Sequence, residues 1–86
     1  RAQRIKTIKY LEKEAMSRKQ TQLFIETPYR NNQVMEDLLI HCEPTTRLCV
    51  ACNLTASDGF VKTHFVKDWK NKTYDLHRKP TVFLIG

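Results

Sequence analysis

The chain has 86 residues, 41% of them hydrophobic, with 2 Gly, 3 Pro and a formal net charge of +6. That length makes one domain at most, with a marginal core that buries about 60% of the surface the unfolded chain exposes. The composition argues against a disordered chain, no run of about 18 apolar residues marks a membrane span, and the 2 glycines, Gly59 and Gly86, are too far apart for a P-loop and too few for a G-x-G-x-x-G loop.

The charge is uneven. Residues 1–20 hold 7 basic and 2 acidic groups, residues 61–86 hold 6 and 2, and residues 21–60 hold 2 and 5. A polyanion is drawn to the basic flanks rather than to the acidic centre. No charged-then-apolar leader with a small-residue cleavage site is visible, so a cytoplasmic location is expected. Three cysteines, Cys42, Cys49 and Cys52, are odd in number and too few for a disulfide framework, which fits a reducing compartment. A start at Arg1 and a stop at Gly86, directly behind "TVFLI", read as a piece of a longer protein.

In chain order, Ala2, Ile5, Ile8, Leu11, Ala15 and Met16 recur at spacings of three and four and predict an amphipathic helix ending near Ser17. "TQLFIE" predicts a short strand, and the contiguous Leu23, Phe24 and Ile25 predict that both its faces are covered. Pro28 drives Thr27 away from helical angles. Asn31 or Asn32 then caps a second helix with Val34, Met35, Leu38, Leu39 and Cys42 on its inner face. "RLCVAC" reads as a second buried strand, "NLTASDG" as a polar loop, "FVKTHFV" as a more exposed strand, "KDWKNKTYDLHRK" as a short helix or loop, and "PTVFLIG" as the last strand. The order α, β, α, β, β, α, β predicts an α/β fold, a mixed sheet of about four to five strands flanked by helices.

Open α/β sheets take ligands beyond the carboxyl ends of their strands. If the first two strands run the same way, "IETP" and "ACNLT" share one edge. Glu26 there either orients a ligand group or accepts backbone N–H bonds from the next helix. Arg30 either contacts a phosphate or carboxylate or pairs with Glu26 or Glu36. Cys49 and Cys52 have C-x-x-C spacing, but residues three apart in a strand point to opposite faces, so no metal site is expected. His41, His64 and His77 pair with no visible nucleophile. In "FVKTHFVKDWKNKTY", Lys62, Lys67, Lys70, Lys72, Trp69 and Tyr74 either meet phosphates and bases or form a solvated face with Trp69 as a core plug.

"LFIETPYRN", followed by "LCVACNLT", "GFVKT" and "KPTVFLIG", resembles the tetrapyrrole (corrin/porphyrin) methylase superfamily, and within it the ribosomal small-subunit RNA 2′-O-ribose methyltransferase I family, over residues 21–86. The resemblance implies the C-terminal half of a two-domain S-adenosylmethionine-dependent methyltransferase, its cofactor-loop domain lying N-terminal to this chain. It places cofactor contacts at Ile25, Glu26 and Thr27, at Ala51, Cys52, Asn53 and Leu54, and at Pro80, Thr81 and Val82. Substrate contacts fall at Tyr29, Arg30 and Lys62. The catalytic base stays unassigned, with Glu26 conceivable, and a homodimer acting on ribosomal RNA is expected. Tyr29 stands where the RNA-modifying family has histidine, and "ACNLTA" loses three charged side chains of that family's motif. A tetrapyrrole acceptor is therefore the alternative within the class, with a non-catalytic basic RNA-binding module or an oligomerisation domain outside it.

Overall fold

The computed structural model describes residues 2–72 and 74–86. Arg1 and Thr73, the latter inside the basic and aromatic stretch, lie outside the described residues. Helix α1 (Ala2–Arg18) leads into strand β1 (Gln22–Phe24). A 3-10 turn (Pro28–Arg30) and helix α2 (Asn31–His41) follow, then β2 (Arg47–Cys52), β3 (Phe60–Phe65), the single turn α3 (Val66–Trp69) and β4 (Thr81–Ile85). The α/β class, the element order and the count of strands are those expected.

The four strands are ordered β1-β4-β2-β3, and all three neighbouring pairs are antiparallel, so the sheet is antiparallel rather than mixed because β4 enters between the two like-directed strands. Strands β1 and β2 do run the same way, but β4 sits between them. Its start therefore lies beside their ends.

The helices pack on one face of the sheet. Ile8 from α1, Val34, Met35 and Leu38 from α2, and Trp69 from α3 meet Leu48, Val50, Phe83 and Ile85 in one core. Each such side chain contributes roughly 1.5–3 kcal/mol on burial. The stripe that α1 buries is Arg4, Ile8, Glu12 and Ala15, rotated from the predicted one. Ala2 and Met16 are exposed, and Ile5 and Leu11 are only half-buried. Polar bonds explain the rotation. Arg4 Nη1 donates to Asp37 Oδ2 at 2.9 Å, while Glu12 Oε2 accepts from Glu43 N at 2.7 Å and Thr46 Oγ1 at 2.6 Å.

The opposite face of the sheet is bare. Cross-strand partners Leu23, Leu84, Cys49 and Thr63 form one row on it, and Val82, Ala51 and Val61 another. Leu23 is 55% exposed and Ile25 59%, which corrects the expectation that β1 is covered on both faces: it is an edge strand with helices on one side alone. The strand β3 is exposed as expected.

The asparagines at the start of α2 are not caps. Arg30 occupies that position with no side-chain bond to the helix, which instead continues directly from the 3-10 turn. Asn31 is fully buried, and its Nδ2 faces Leu76 O at 3.0 Å, Lys79 O at 2.6 Å and Thr81 Oγ1 at 3.1 Å. Three acceptor atoms around one nitrogen fix the orientation of the amide, because the flipped form would set its oxygen against them. Asn32 adds Nδ2 to Asp75 Oδ1 at 3.2 Å and accepts from Leu76 N at 2.9 Å. Two side chains from α2 thus anchor the loop that delivers β4 to the sheet.

Candidate functional site

Ile25 and Glu26 leave the end of β1, Asn53 and Leu54 leave the end of β2, and Pro80 and Thr81 begin β4. With Ala51, Val82, Pro28 and Thr55 they line one cavity of about 400 Å³, within the range of small-ligand clefts. Eight of the ten positions named for cofactor contact meet there; Thr27 and Cys52 do not line it. Cys52 misses because it points into the core, fully buried. Pro28 and Thr55 were not named for cofactor contact, though each closes a stretch, "IETP" and "ACNLT", that the sequence places at this edge.

The strand-end rule does not foresee Pro80, Thr81 and Val82, since they open their strand. Antiparallel insertion of β4 brings them to the rim. Asn53 N donates to Pro80 O at 2.7 Å and stitches the two segments together. Asn53 itself has φ 52°, a left-handed conformation that asparagine accepts more readily than other side chains. Its Nδ2 donates to Asp58 Oδ1 at 2.8 Å, and Asp58 Oδ2 lies 3.4 Å from Lys79 Nζ. Gly59 closes this loop so tightly that a Cβ there would collide with the Asn53 carbonyl oxygen.

Both oxygens of Glu26 are engaged. Oε1 accepts from Thr27 N at 3.0 Å, and Oε2 lies 3.7 Å from Arg4 Nε. The carboxylate holds the turn before Pro28 and ties the rim to α1, which weighs against its service as a base. Thr27 is extended at φ −62°, ψ 143°, as a residue before proline must be.

Tyr29, Arg30 and Lys62 are not brought together. Tyr29 is exposed, its ring 5.2 Å from the Arg78 guanidinium and 6.1 Å from the His77 ring. Arg30 pairs with neither Glu26 nor Glu36: among the described residues it makes no ion pair, and Arg4 takes the place beside Glu26. Lys62 stands on β3, at the far edge of the sheet from β1, three strand spacings or about 14 Å across. Trp69 is the core plug rather than a stacking platform, 2% exposed with Nε1 donating to Leu48 O at 2.7 Å. Cys49 and Cys52 face opposite sides of β2, and no group of metal-ligating side chains assembles among the described residues.

Two burial effects shift proton affinities outside the rim. The Cys42 thiol is pushed up to about 12 by burial first, then by the charge of Glu12 and a hydrogen bond to it. Tyr74 is raised by burial and by the charge of Glu36. The exposed Asp75 carboxyl is lowered by the His77 N–H and the Asn32 amide.

A crystal structure of the methyltransferase CobJ superposes on 93% of this chain with a TM-score of 0.51 at 21% sequence identity. The chain shares its fold with that part of CobJ. It spans 34% of the CobJ chain. No protein-family model and no curated protein matches the sequence. The methylase-like fold expected from the motifs is therefore met, and no helix among the described residues is long and apolar enough to cross a membrane.

Proposed function

We propose that this chain is one segment of an S-adenosylmethionine-dependent methyltransferase and that the rim cavity receives the nucleoside part of the cofactor. One observation carries the reading: three segments far apart in sequence, 25–28, 51–55 and 80–82, converge on a single cleft, in a fold shared with part of a methyltransferase.

The lining fits such a ligand. Ile25, Leu54 and Val82 offer apolar surface to a base, and backbone groups of the two strand ends offer hydrogen bonds. When bound, the cofactor supplies an activated methyl group on a sulfonium. This chain's own residues bind and orient: Asn53 shapes the β2 end, and Glu26 fixes the β1 turn and adds negative charge near a cationic ligand. Alignment of donor and acceptor is the dominant requirement of such a transfer. Glu26, the one carboxylate lining the cavity, is held by Thr27 N and lies beside Arg4, which makes it a poor base for a ribose hydroxyl.

The acceptor we favour is a ribose 2′-hydroxyl of ribosomal RNA, from the ordered set of motifs and the basic flanks. A tetrapyrrole acceptor is the second reading, favoured by the loss of charge in Ala51–Ala56 relative to the RNA-modifying family's motif. The 86-residue chain by itself is expected to be inactive, because CobJ is roughly three times as long.

Calorimetric titration of the full-length protein with S-adenosylmethionine tests the site. Saturable binding is expected, weakened about tenfold by Asn53→Ala through loss of the loop geometry, with a smaller loss for Glu26→Ala. No binding by the wild type overturns the reading. Labelled methyl transfer into ribosomal RNA or into a tetrapyrrole then separates the two acceptors.

A further inference from the structure

A second cavity, of about 430 Å³, opens on the helix side of β3, away from the rim. The two share no lining residue. Phe60, Lys62 and His64 come from alternate positions of β3, Trp69 from α3, and Lys72 and Tyr74 from the segment that follows.

Its floor is fixed. The Trp69 indole is held by the Leu48 carbonyl, and the His64 and Tyr74 rings meet it edge-on at 5.0 Å and 6.3 Å. Trp69 is a buried brace rather than a contact surface, and it holds in place the half-buried Tyr74 ring that lines the cavity. Above it, Lys62 Nζ lies 5.4 Å from the Phe60 ring centre. Neither Lys62 nor Lys72 makes an ion pair among the described residues. The Glu36 carboxylate acts on Tyr74 from the α2 side, leaving the β3 side of the opening positive.

Unpaired ammonium groups beside exposed aromatic edges are the combination that holds a phosphate and a base at once. A core plug alone explains Trp69, but not two lysines and a half-buried Phe60 and Tyr74 around an open cavity of ligand size.

We infer that this cavity is a nucleotide-binding site, with Lys62 and Lys72 on the phosphate and Phe60 and Tyr74 against the base. The same chemistry is offered by a free mononucleotide and by one nucleotide of a single-stranded RNA. The inference does not depend on the cofactor reading, since a rim that binds nothing leaves this cavity unchanged.

The test is titration of the intact, nitrogen-15-labelled protein with adenosine 5′-monophosphate, adenosine, inorganic phosphate, a single-stranded hexaribonucleotide and hexaglutamate. The monophosphate should shift the Trp69 indole N–H and His64 signals saturably. Adenosine and phosphate should each bind at least tenfold more weakly. The double variant Lys62→Gln with Lys72→Gln should weaken binding at least tenfold. Both lysines are exposed, so an unchanged spectrum of the free variant is expected and verifies the fold. A hexamer tenfold tighter than the monophosphate identifies RNA as the source; equal affinity identifies the free nucleotide. No shift at millimolar monophosphate and RNA, or hexaglutamate binding as tightly as either, overturns the inference.

Discussion

Replacing Asn31 by alanine tests whether a single buried amide holds the rim in place. Two amide hydrogens serve three acceptors, Leu76 O, Lys79 O and Thr81 Oγ1. Each acceptor keeps one further partner or role, because Lys79 N also donates to Leu76 O and Thr81 Oγ1 also donates to Lys79 O. The loss is therefore that of the bonds, about 1 kcal/mol for each hydrogen, plus roughly 1 kcal/mol for the space vacated in a fully buried site. The sum is about 3 kcal/mol, or about 12–24 °C in melting temperature for a domain of this size. Urea and thermal unfolding followed by circular dichroism measure it. Asn31→Asp should cost more at neutral pH, since a carboxylate would face three acceptor oxygens. Part of that loss should return as the pH falls and the buried acid takes up its proton, its proton affinity raised by burial. If Asn31→Ala lies within about 0.5 kcal/mol of wild type, the range of ordinary surface substitutions, the anchoring role is refuted.

Gly59→Ala forces a methyl group onto the Asn53 carbonyl oxygen; a loss of roughly 1–3 kcal/mol and weaker ligand binding at the rim are expected, and unchanged unfolding would contradict the close approach. The Cys42 thiol, with an ordinary value of 9.0 and a folded value of about 12, should resist alkylation at pH 9 while the chain is folded. Because the unfolded thiol ionises first, its contribution to stability is complete below pH 9 and is lost as the pH climbs toward 12; wild type should therefore lose stability relative to Cys42→Ala over that window, and parallel pH curves would show the reasoning to be wrong. The bare sheet face, with Leu23 and Val61 exposed, and the open edge of β3 should make the isolated chain self-associate. Sedimentation equilibrium measures this, Val61→Lys should reduce it, and a clean wild-type monomer at high concentration counts against it.

Much of the fold was legible in local pattern. Apolar runs bounded by Pro28, by "EPTT" and by "NLTASDG" delimit β1, α2 and β2, because breakers act on the backbone at the place where they stand. The strand-to-helix-to-strand passage implied a common edge for residues near 26 and 53, and the structure puts both on one cavity. The place of β4 was hidden, since pairing between distant strands leaves no mark on either sequence. Polar burial was hidden for another reason. Arg4, Glu12 and Asn31 carry letters that belong on surfaces or caps, and only tertiary partners draw them inward. Tyr29 and Lys62 show the converse limit: both look suited to one substrate site, yet the sheet holds them at opposite margins.

The strand β1 has a single neighbour among the described strands, β4. The cleft therefore has no middle wall unless residues 80–82 are seated, however well the segments before them are folded. A change that unseats this keystone, at Asn31 or within Thr81–Ile85, frees β1 and opens the rim in the same stroke.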